Sequence, residues 1–318
     1  MVPPRGHTPT ARTDSEALFL ALLAWYIREV TFPLREKNIK GQVALITGGA
    51  GGIGRLLALK LAKKGCDVVI WDANLAAAEA VVKEVLALGQ KAAAYNVDVT
   101  NREVVYATAK DVLGKFGSVD ILINNAGIVA GKKLLEADDA RAELTIKVNT
   151  IALLWVTKAF LPSMMQKKRG HVVTIASSAG RVGVNGMVDY CASKFGAVGF
   201  DEALRGELRH SAPELRTTCV CPGYISTGMF KGAQMSSTIP FLNPVVRAIM
   251  PVLEPDYIAD KIVTAIVRNQ TILVAPRFGY LSYLFRATTP TFVLDFAFDV
   301  LGVSRSMEKF KLEETGRA

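Results

Sequence analysis

QVALITGGAGGIG, residues 42–54, is a short apolar run that ends in a turn crowded with glycine. Gln42–Thr47 has the unbroken apolar character of a strand covered on both faces. Ile53–Lys64 follows with Ile53, Leu56, Leu57 and Leu61 at helical spacing, and it stops at Gly65. Between them, Thr47-Gly48-Gly49-Ala50-Gly51-Gly52-Ile53-Gly54 keeps side chains out of the way of an approaching group. Backbone can then come close to a pyrophosphate, and the helix N-terminus offers free N–H groups and the positive end of its dipole. A glycine-rich turn alone is a weak signal; the strand–turn–helix setting gives it meaning.

The same alternation continues along the chain. Asp67–Trp71 (DVVIW), Ala92–Val97, Val119–Ile123 (VDILI), His171–Ala176 (HVVTIA), Thr217–Cys221 (TTCVC) and Thr271–Ala275 (TILVA) read as strands. Leu75–Leu88, Asn101–Phe116, a long stretch around Asn149 and the stretch holding Tyr190 read as helices. Right-handed crossovers between such strands give a doubly wound, mainly parallel seven-stranded sheet, an α/β Rossmann fold. Asp72 ends the second strand, eighteen residues after Gly54. A carboxylate there accepts bonds from adenosine ribose hydroxyls and repels a 2′-phosphate. No Lys or Arg stands at 49–51 or 73–75, so NAD is expected rather than NADP.

Tyr190-Cys191-Ala192-Ser193-Lys194 carries the candidate chemistry. A Tyr and a Lys four apart on a helix share a face, and an ammonium beside a phenol favours the phenolate, drawing its pKa down from about 10. Such a group can give and take a proton near neutral pH, as reversible alcohol oxidation requires. Ser177 stands thirteen residues before Tyr190, and Ser178 beside it is the rival position. By itself a Tyr–Lys pair at this spacing is an ordinary exposed helix pair; the nucleotide signature upstream changes its reading.

With 318 residues and 50% apolar composition, the chain suits one large α/β domain with extensions. Its net charge is +9, the basic residues are scattered and no nucleic-acid motif accompanies them, so no nucleic-acid partner is expected. A basic surface beside apolar segments suits an anionic membrane face, or is simply solvated. Cys66, Cys191, Cys219 and Cys221 show neither metal nor disulfide spacing, which points to buried thiols in a reducing compartment. His7, His171 and His210 are too dispersed for a zinc site, so no metal is expected, and His171 reads as structural.

Residues 1–16, with Pro3, Pro4 and Pro9, read as a disordered leader, and 17–40 as a hydrophobic membrane-associating segment with a basic linker. Ala17–Ile27 is apolar throughout and is followed by Arg28, Arg35, Lys37 and Lys40. As a helix it spans only about 16 Å against a hydrocarbon core of about 30 Å, so it suits a membrane interface better than a crossing. The alternative is an N-terminal helix packed on the domain or on a second subunit. Residues 41–275 form the expected catalytic domain, with 224–255 as a substrate loop whose Met229, Phe230, Phe241 and Val245 make an apolar lid or ordinary core. Residues 276–318 are an apolar extension broken at Pro290; the sequence leaves open whether it caps the site, meets a second subunit or touches lipid.

Gly48-x3-Gly52-x-Gly54, Asn124-Asn125-Ala126-Gly127, Asn149, Ser177, Tyr190-x3-Lys194 and Pro222-Gly223 occur in the order found in short-chain dehydrogenases/reductases, which the chain resembles over residues 41–275. WDAN (71–74), TKAFLPSMM (157–165), GHVVTIAS (170–177), YCASKFGAVGF (190–200) and CVCPGYISTGMF (219–230) resemble the membrane-associated retinol and 17β-hydroxysteroid dehydrogenase branch. The resemblance implies Tyr190 as general acid/base and Lys194 as the group that lowers its pKa and holds the nicotinamide ribose. It implies Ser177 as donor to the substrate oxygen, and Asn149 as the residue that bends its helix and holds a water leading to Lys194. Thr47, Gly48, Gly52, Ile53, Gly54 and Asp72 would hold the dinucleotide, with Asp98 and Val99 at the adenine. Asn125, Ala126 and Gly127 would line the cleft, and Pro222, Gly223, Ile225 and Thr227 would meet the nicotinamide.

The activity so implied is hydride transfer between NAD(H) and a lipophilic, steroid- or retinoid-like alcohol or ketone. Reduction of a ketolipid, ketosphinganine- or ketoacyl-type, and a non-catalytic membrane or lipid-droplet scaffold remain open. The resemblance also implies a homodimer on the endoplasmic reticulum or lipid droplets with a cytosol-facing catalytic domain, or a cytoplasmic protein if the N-terminal segment only packs on the domain.

Overall fold

The structure is a computed structural model that describes residues 36–230, 236–280, 286, 288–307 and 310. The expected leader, nearly all of segment 17–40, and Met235 of the substrate loop lie outside the described residues. The chain divides into two units, Met1–Lys37 and Asn38–Ala318, and the second holds the sheet and all the described helices.

Seven strands form one sheet: β1 (Val43–Thr47), β2 (Asp67–Asp72), β3 (Ala92–Asn96), β4 (Ile121–Asn124), β5 (His171–Ile175), β6 (Arg216–Pro222) and β7 (Ile272–Ala275). Their order is β3-β2-β1-β4-β5-β6-β7, and every pairing is parallel. The chain winds outward from β1 to β3, then crosses back to place β4 against β1, with Ala44 beside Ile121 and Ile46 beside Ile123. The order reverses there, which opens a crevice at the carboxyl ends of β1 and β4, where open α/β sheets take their ligands.

The helices are α1 (Gly52–Lys63), α2 (Leu75–Ala87), α3 (Arg102–Phe116), α4 (Asp139–Ile146), α5 (Ala152–Gln166), α6 (Val188–Ser211), α7 (Asn243–Ile249), α8 (Pro255–Val267) and α9 (Thr291–Leu301). Alternate strand residues face opposite sides, so each apolar strand feeds two cores. Ala44, Ile46 and Ile70 pack with Leu57 and Leu61 of α1, Val81 of α2 and Ile262 of α8. Leu45, Val69 and Trp71 pack on the other side with Val112 of α3, Phe160 and Met164 of α5, and Leu208 of α6. The Trp71 and Phe160 rings meet at 5.4 Å between centroids. Cutting a buried aromatic such as Phe160 back to alanine would cost about 3–5 kcal/mol.

Local chemistry sets the element ends. Asn74 and Asn101 cap α2 and α3 by accepting from Ala77 N and Val104 N, and α3 closes on Gly117 in the left-handed region. The fourth strand starts at Ile121 rather than Val119, and just before it the Asp120 carboxylate accepts from Val43 N (2.9 Å) and Arg169 Nε (2.8 Å), tying the strand starts together. A π turn, Lys147–Ile151, interrupts the helical run from α4 into α5. That run, Asp139–Gln166, is the one described helix long and apolar enough by composition to cross a membrane, yet Leu153, Val156, Phe160 and Met164 bury against the domain. His171 is buried, with Nε2 2.8 Å from Thr218 Oγ1. All four cysteines are buried and none forms a disulfide, with Cys219 and Cys221 on one face at 3.8 Å between sulfurs. In the C-terminal extension, Pro290 caps the start of α9, which has no buried residue; much of the piece before it lies outside the described residues.

Candidate active site

Thr47 closes β1 and ties it to the segment after β4. Its Oγ1 accepts from Asn125 N and Ala126 N, both at 3.0 Å. Asn125 Nδ2 returns bonds to Thr47 O (2.9 Å) and Gly48 O (3.0 Å), so the glycine turn rests on residues 125–126. The turn is tightly folded: a Cβ on Gly54 would lie 2.3 Å from Gly48 O and 2.9 Å from Gly49 Cα. A Cβ on Gly51 or Gly52 would meet nothing within 4 Å. α1 also begins without a side-chain cap and without an acidic residue in its first turn. Its leading N–H groups therefore face an open cradle, and this fits a pyrophosphate. Asp72 is buried at the end of β2, where its carboxylate accepts from Ala50 N (3.1 Å) and Asn74 N (2.9 Å). A carboxylate at a strand end accepts several donors at once, which fits ribose hydroxyls.

A second group of side chains gathers on the far side of residues 125–128. Ser177 starts a 3-10 turn, Ser178–Gly180, where its Oγ accepts from Ala179 N at 3.1 Å and also bonds the Tyr190 hydroxyl. Ser177, not Ser178, is thus the serine that meets the tyrosine. Lys194 Nζ donates to Ile175 O (2.9 Å) and lies 5.7 Å from the centroid of the Tyr190 ring. Asn149, in the π turn, accepts from Ile128 N and donates to Ile128 O and Ser193 Oγ, each at 2.9 Å. A Cβ on Gly127 would sit 3.3 Å from Asn149 Oδ1 and 3.6 Å from Lys194 Nζ. The short stretch Asn125–Ile128 thus touches the glycine turn at one end and the Asn149–Lys194 pair at the other.

The electrostatics differ from the expectation of a lowered tyrosine. Burial pushes the Tyr190 phenol above its ordinary 10, and the Ser177 hydrogen bond pulls the other way without winning. Burial also lowers Lys194 to about 8. Tyr190 is 3% exposed and Lys194 4%, so the loss of water outweighs the attraction that helix spacing suggests. Lys194 still carries its charge at neutral pH, since its pKa remains above 7.

The remaining positions are less concentrated. Pro222 ends β6 and Gly223 N donates to Ala275 O (2.7 Å), while Ile225 bridges to Leu253. Thr227 sits just beyond, its carbonyl accepting from Phe230 N. Ile53 packs against the core from α1. Asp98 is exposed and its carboxylate is taken up by Thr100, through N (2.8 Å) and Oγ1 (2.7 Å). The Val99 side chain is buried in the core beside Val97 and Val105.

Three site neighbours escape a reading of the sequence. Ser193 is buried and donates to Tyr190 O (2.7 Å) while accepting from Asn149, and Thr150 Oγ1 holds Ser193 O (2.7 Å). Tyr224 packs against the Tyr190 cluster. Ser193 lies within 190–200 and Tyr224 within 219–230, and their side-chain types are the signal that could have found them. Met307, also in that cluster, has no sequence signal.

The family model for short chain dehydrogenases matches residues 42–237. Human (Homo sapiens) epidermal retinol dehydrogenase 2 is 40% identical over 297 residues, covering 93% of this chain and 90% of that protein. Retinol dehydrogenase 10-B of Danio rerio is 37% identical over 313 residues, with 92% and 89% coverage. Among solved structures, a Burkholderia phymatum short chain dehydrogenase/reductase in complex with NAD superposes with a TM-score of 0.68 at 26% identity, over 82% of this chain and 96% of the other. A metagenomic short-chain oxidoreductase in complex with NADP gives 0.60 at 32% identity, over 74% and 96%. The chain belongs to the short-chain dehydrogenase family, in its retinol dehydrogenase branch, and is an oxidoreductase dependent on a nicotinamide dinucleotide.

Proposed function

We propose that the protein transfers hydride between NAD(H) and a lipophilic alcohol or ketone, retinoid- or steroid-like, with Tyr190 as general acid/base. The observation that carries this reading is the meeting of Ser177, Tyr190 and Lys194 in one buried group, joined through residues 125–128 to the open glycine cradle. The glycine turn and the α1 N-terminus hold the pyrophosphate, Asp72 the adenosine ribose, and Lys194 with Asn149 the nicotinamide side. When bound, the dinucleotide supplies the hydride acceptor or donor. Tyr190 takes the proton of the alcohol oxygen in oxidation and returns it in reduction. Ser177 donates to that oxygen as its negative charge develops. Cationic Lys194 favours the phenolate against the burial that opposes it, and Ser193, held by Asn149 and Thr150, fixes the helix backbone at Tyr190.

Asp72 and the absence of a cation at 73–75 support NAD over NADP. Val129, Met187 and Phe230 around Tyr190 support a lipophilic substrate, as do relatives named as retinol dehydrogenases. Phe292 and Phe296 of α9 are 75% and 69% exposed; with the apolar stretch at 17–27 they support a protein seated on the endoplasmic reticulum or lipid droplets with its catalytic domain in the cytosol. Exposed Leu154 on α5, with Val188 and Phe195 on α6, supports a homodimer through those helices.

The test is turnover by the full chain in detergent, followed at the nicotinamide absorbance. NAD and NADP are each paired with all-trans-retinol, a steroid alcohol and the matching carbonyls. Tyr190→Phe is expected to lose activity by about a thousandfold while binding NADH as before. Substantial turnover in that variant defeats the assignment.

A further inference from the structure

The chain returns to Tyr190 after α9. Beyond Tyr280 the described residues of the extension add nothing to the two main cores. Among the described residues, its buried side chains, Val303, Ser306 and Met307, come at 303–307. Met307 packs in one apolar cluster with Tyr190, Val129 and Met187, and Tyr224, Phe230 and Phe310 pack against it. We propose that residues 302–307, together with Phe310, are the substrate-facing wall of the site, and that Met307 and Phe310 decide which lipophilic alcohols reach Tyr190. The proposal rests on the oxidoreductase reading above and adds the determinant of its substrate choice.

The wall is anchored at four places. Ser237 Oγ (2.6 Å) and Thr238 N (3.1 Å) both donate to Val300 O, just before the segment begins. Asn185 Nδ2 donates to Ser304 O (3.0 Å). Tyr224 Oη lies 2.9 Å from Ser306 Oγ, whose own proton goes to Val303 O (2.7 Å), so Tyr224 is the donor. Gly131 has φ +67°, and a Cβ there would fall 2.1 Å from the Phe310 ring, so the ring occupies the space a side chain would need. A segment held by polar bonds at 185, 224 and 237–238 and by ring packing at 131 keeps its apolar side chains in fixed positions.

Its chemistry selects. The Phe230 ring stands edge-on to both Tyr190 (5.7 Å) and Tyr224 (5.5 Å), and the Tyr224 hydroxyl is engaged by Ser306. The cluster side chains around Tyr190 are otherwise carbon and sulfur: Val129, Met187, Phe230, Met307 and Phe310. Such a surface gains from an apolar chain or ring and leaves a polar group unpaired. Met307 adds a flexible, polarisable contact that adapts to a ligand's shape.

The test compares Met307→Ala, Phe310→Ala and Met307→Leu in the full chain, by kcat/KM for all-trans-retinol against 1-hexanol. The two alanine variants are expected to change the retinol-to-hexanol ratio at least tenfold with KM for the dinucleotide unchanged, and Met307→Leu to keep the native ratio. Equal ratios in all chains, or a shift as large for Met307→Leu as for Met307→Ala, overturn the wall while leaving the oxidoreductase reading intact, provided Tyr190→Phe remains inactive. If no alcohol is turned over, that reading fails, and a retinol fluorescence titration still decides the wall. A fivefold or greater change in Kd in the alanine variants supports it; an unchanged Kd, or no binding by any chain, overturns it.

Discussion

Replacing Lys194 with methionine is expected to make the protein more stable near neutral pH and inactive. Lys194 is 4% exposed, its Nζ bonds Ile175 O at 2.9 Å, and burial lowers its pKa from the ordinary 10.5 to about 8. An amine with a lowered folded pKa binds fewer protons folded than unfolded between those two values. Stability therefore rises with pH from about 8 to 10.5, and the cost of burying the charge is fully present below pH 8. At about 1.4 kcal/mol per unit, that gap amounts to roughly 3 kcal/mol at pH 7. Methionine removes this cost and forfeits the bond to Ile175 O, a loss of about 1–2 kcal/mol. The net expectation is a gain of about 1–2 kcal/mol at pH 7 that vanishes or reverses by pH 10. Urea denaturation of both chains at pH 7, 8.5 and 10 reads the difference, and turnover at pH 7 reads the loss of function. A stability difference that stays constant to within about 0.5 kcal/mol across that range would refute the reasoning.

The other expectations concern separate parts of the molecule. Gly54→Ala places a Cβ 2.3 Å from Gly48 O, so NADH affinity should collapse and stability fall by about 1–3 kcal/mol. Gly51→Ala meets no protein atom and should leave the melting temperature unchanged; NADH fluorescence titration reads Gly54→Ala, where native affinity counts against the cradle. Ala73→Arg puts a cation beside Asp72 and should raise the NADP-to-NAD ratio of kcat/KM about tenfold or more. A native chain that already prefers NADP would contradict the role given to Asp72. Asp201 is fully buried, and burial lifts its carboxyl to about 7 although Arg205 lies 3.9 Å away. Folded-state stability therefore declines as pH rises from 3.8 to about 7 and stays reduced above it. Asp201→Asn should raise the melting temperature clearly at pH 8 and much less at pH 5, and equal shifts at the two pH values would argue against it.

The sheet is legible in the sequence because most of its strands are apolar runs alternating with helices and its crossovers have one hand, which together give a doubly wound parallel sheet. The glycine turn is legible for the same reason, a local signature in a local setting. Asp120 reads as a strand residue because sequence shows its place in an apolar run but not the Val43 N–H that its carboxylate meets seventy-seven residues away. The spacing of Tyr190 and Lys194 is visible, whereas the direction of their pKa shifts is not. Spacing on a helix gives proximity, but desolvation depends on everything packed around it, including Met187 and Phe230. The bond from Asn149 to Ser193 spans forty-four residues, and the contact of Phe310 with Gly131 joins a tail without periodicity to a loop, so neither leaves a pattern along the chain.

The π turn at Lys147–Ile151 has a consequence for what insertions and deletions this gene can tolerate. One surplus residue in a helix rotates everything after it by about 100°. The wider π turn absorbs that residue, so deleting one from 147–151 would restore a regular coil with Leu153, Val156, Phe160 and Met164 still facing the core, while turning Asn149 away from Ile128 and Ser193. The irregularity is thus held by what Asn149 reaches, and mending it would cost the site its amide rather than the core its packing.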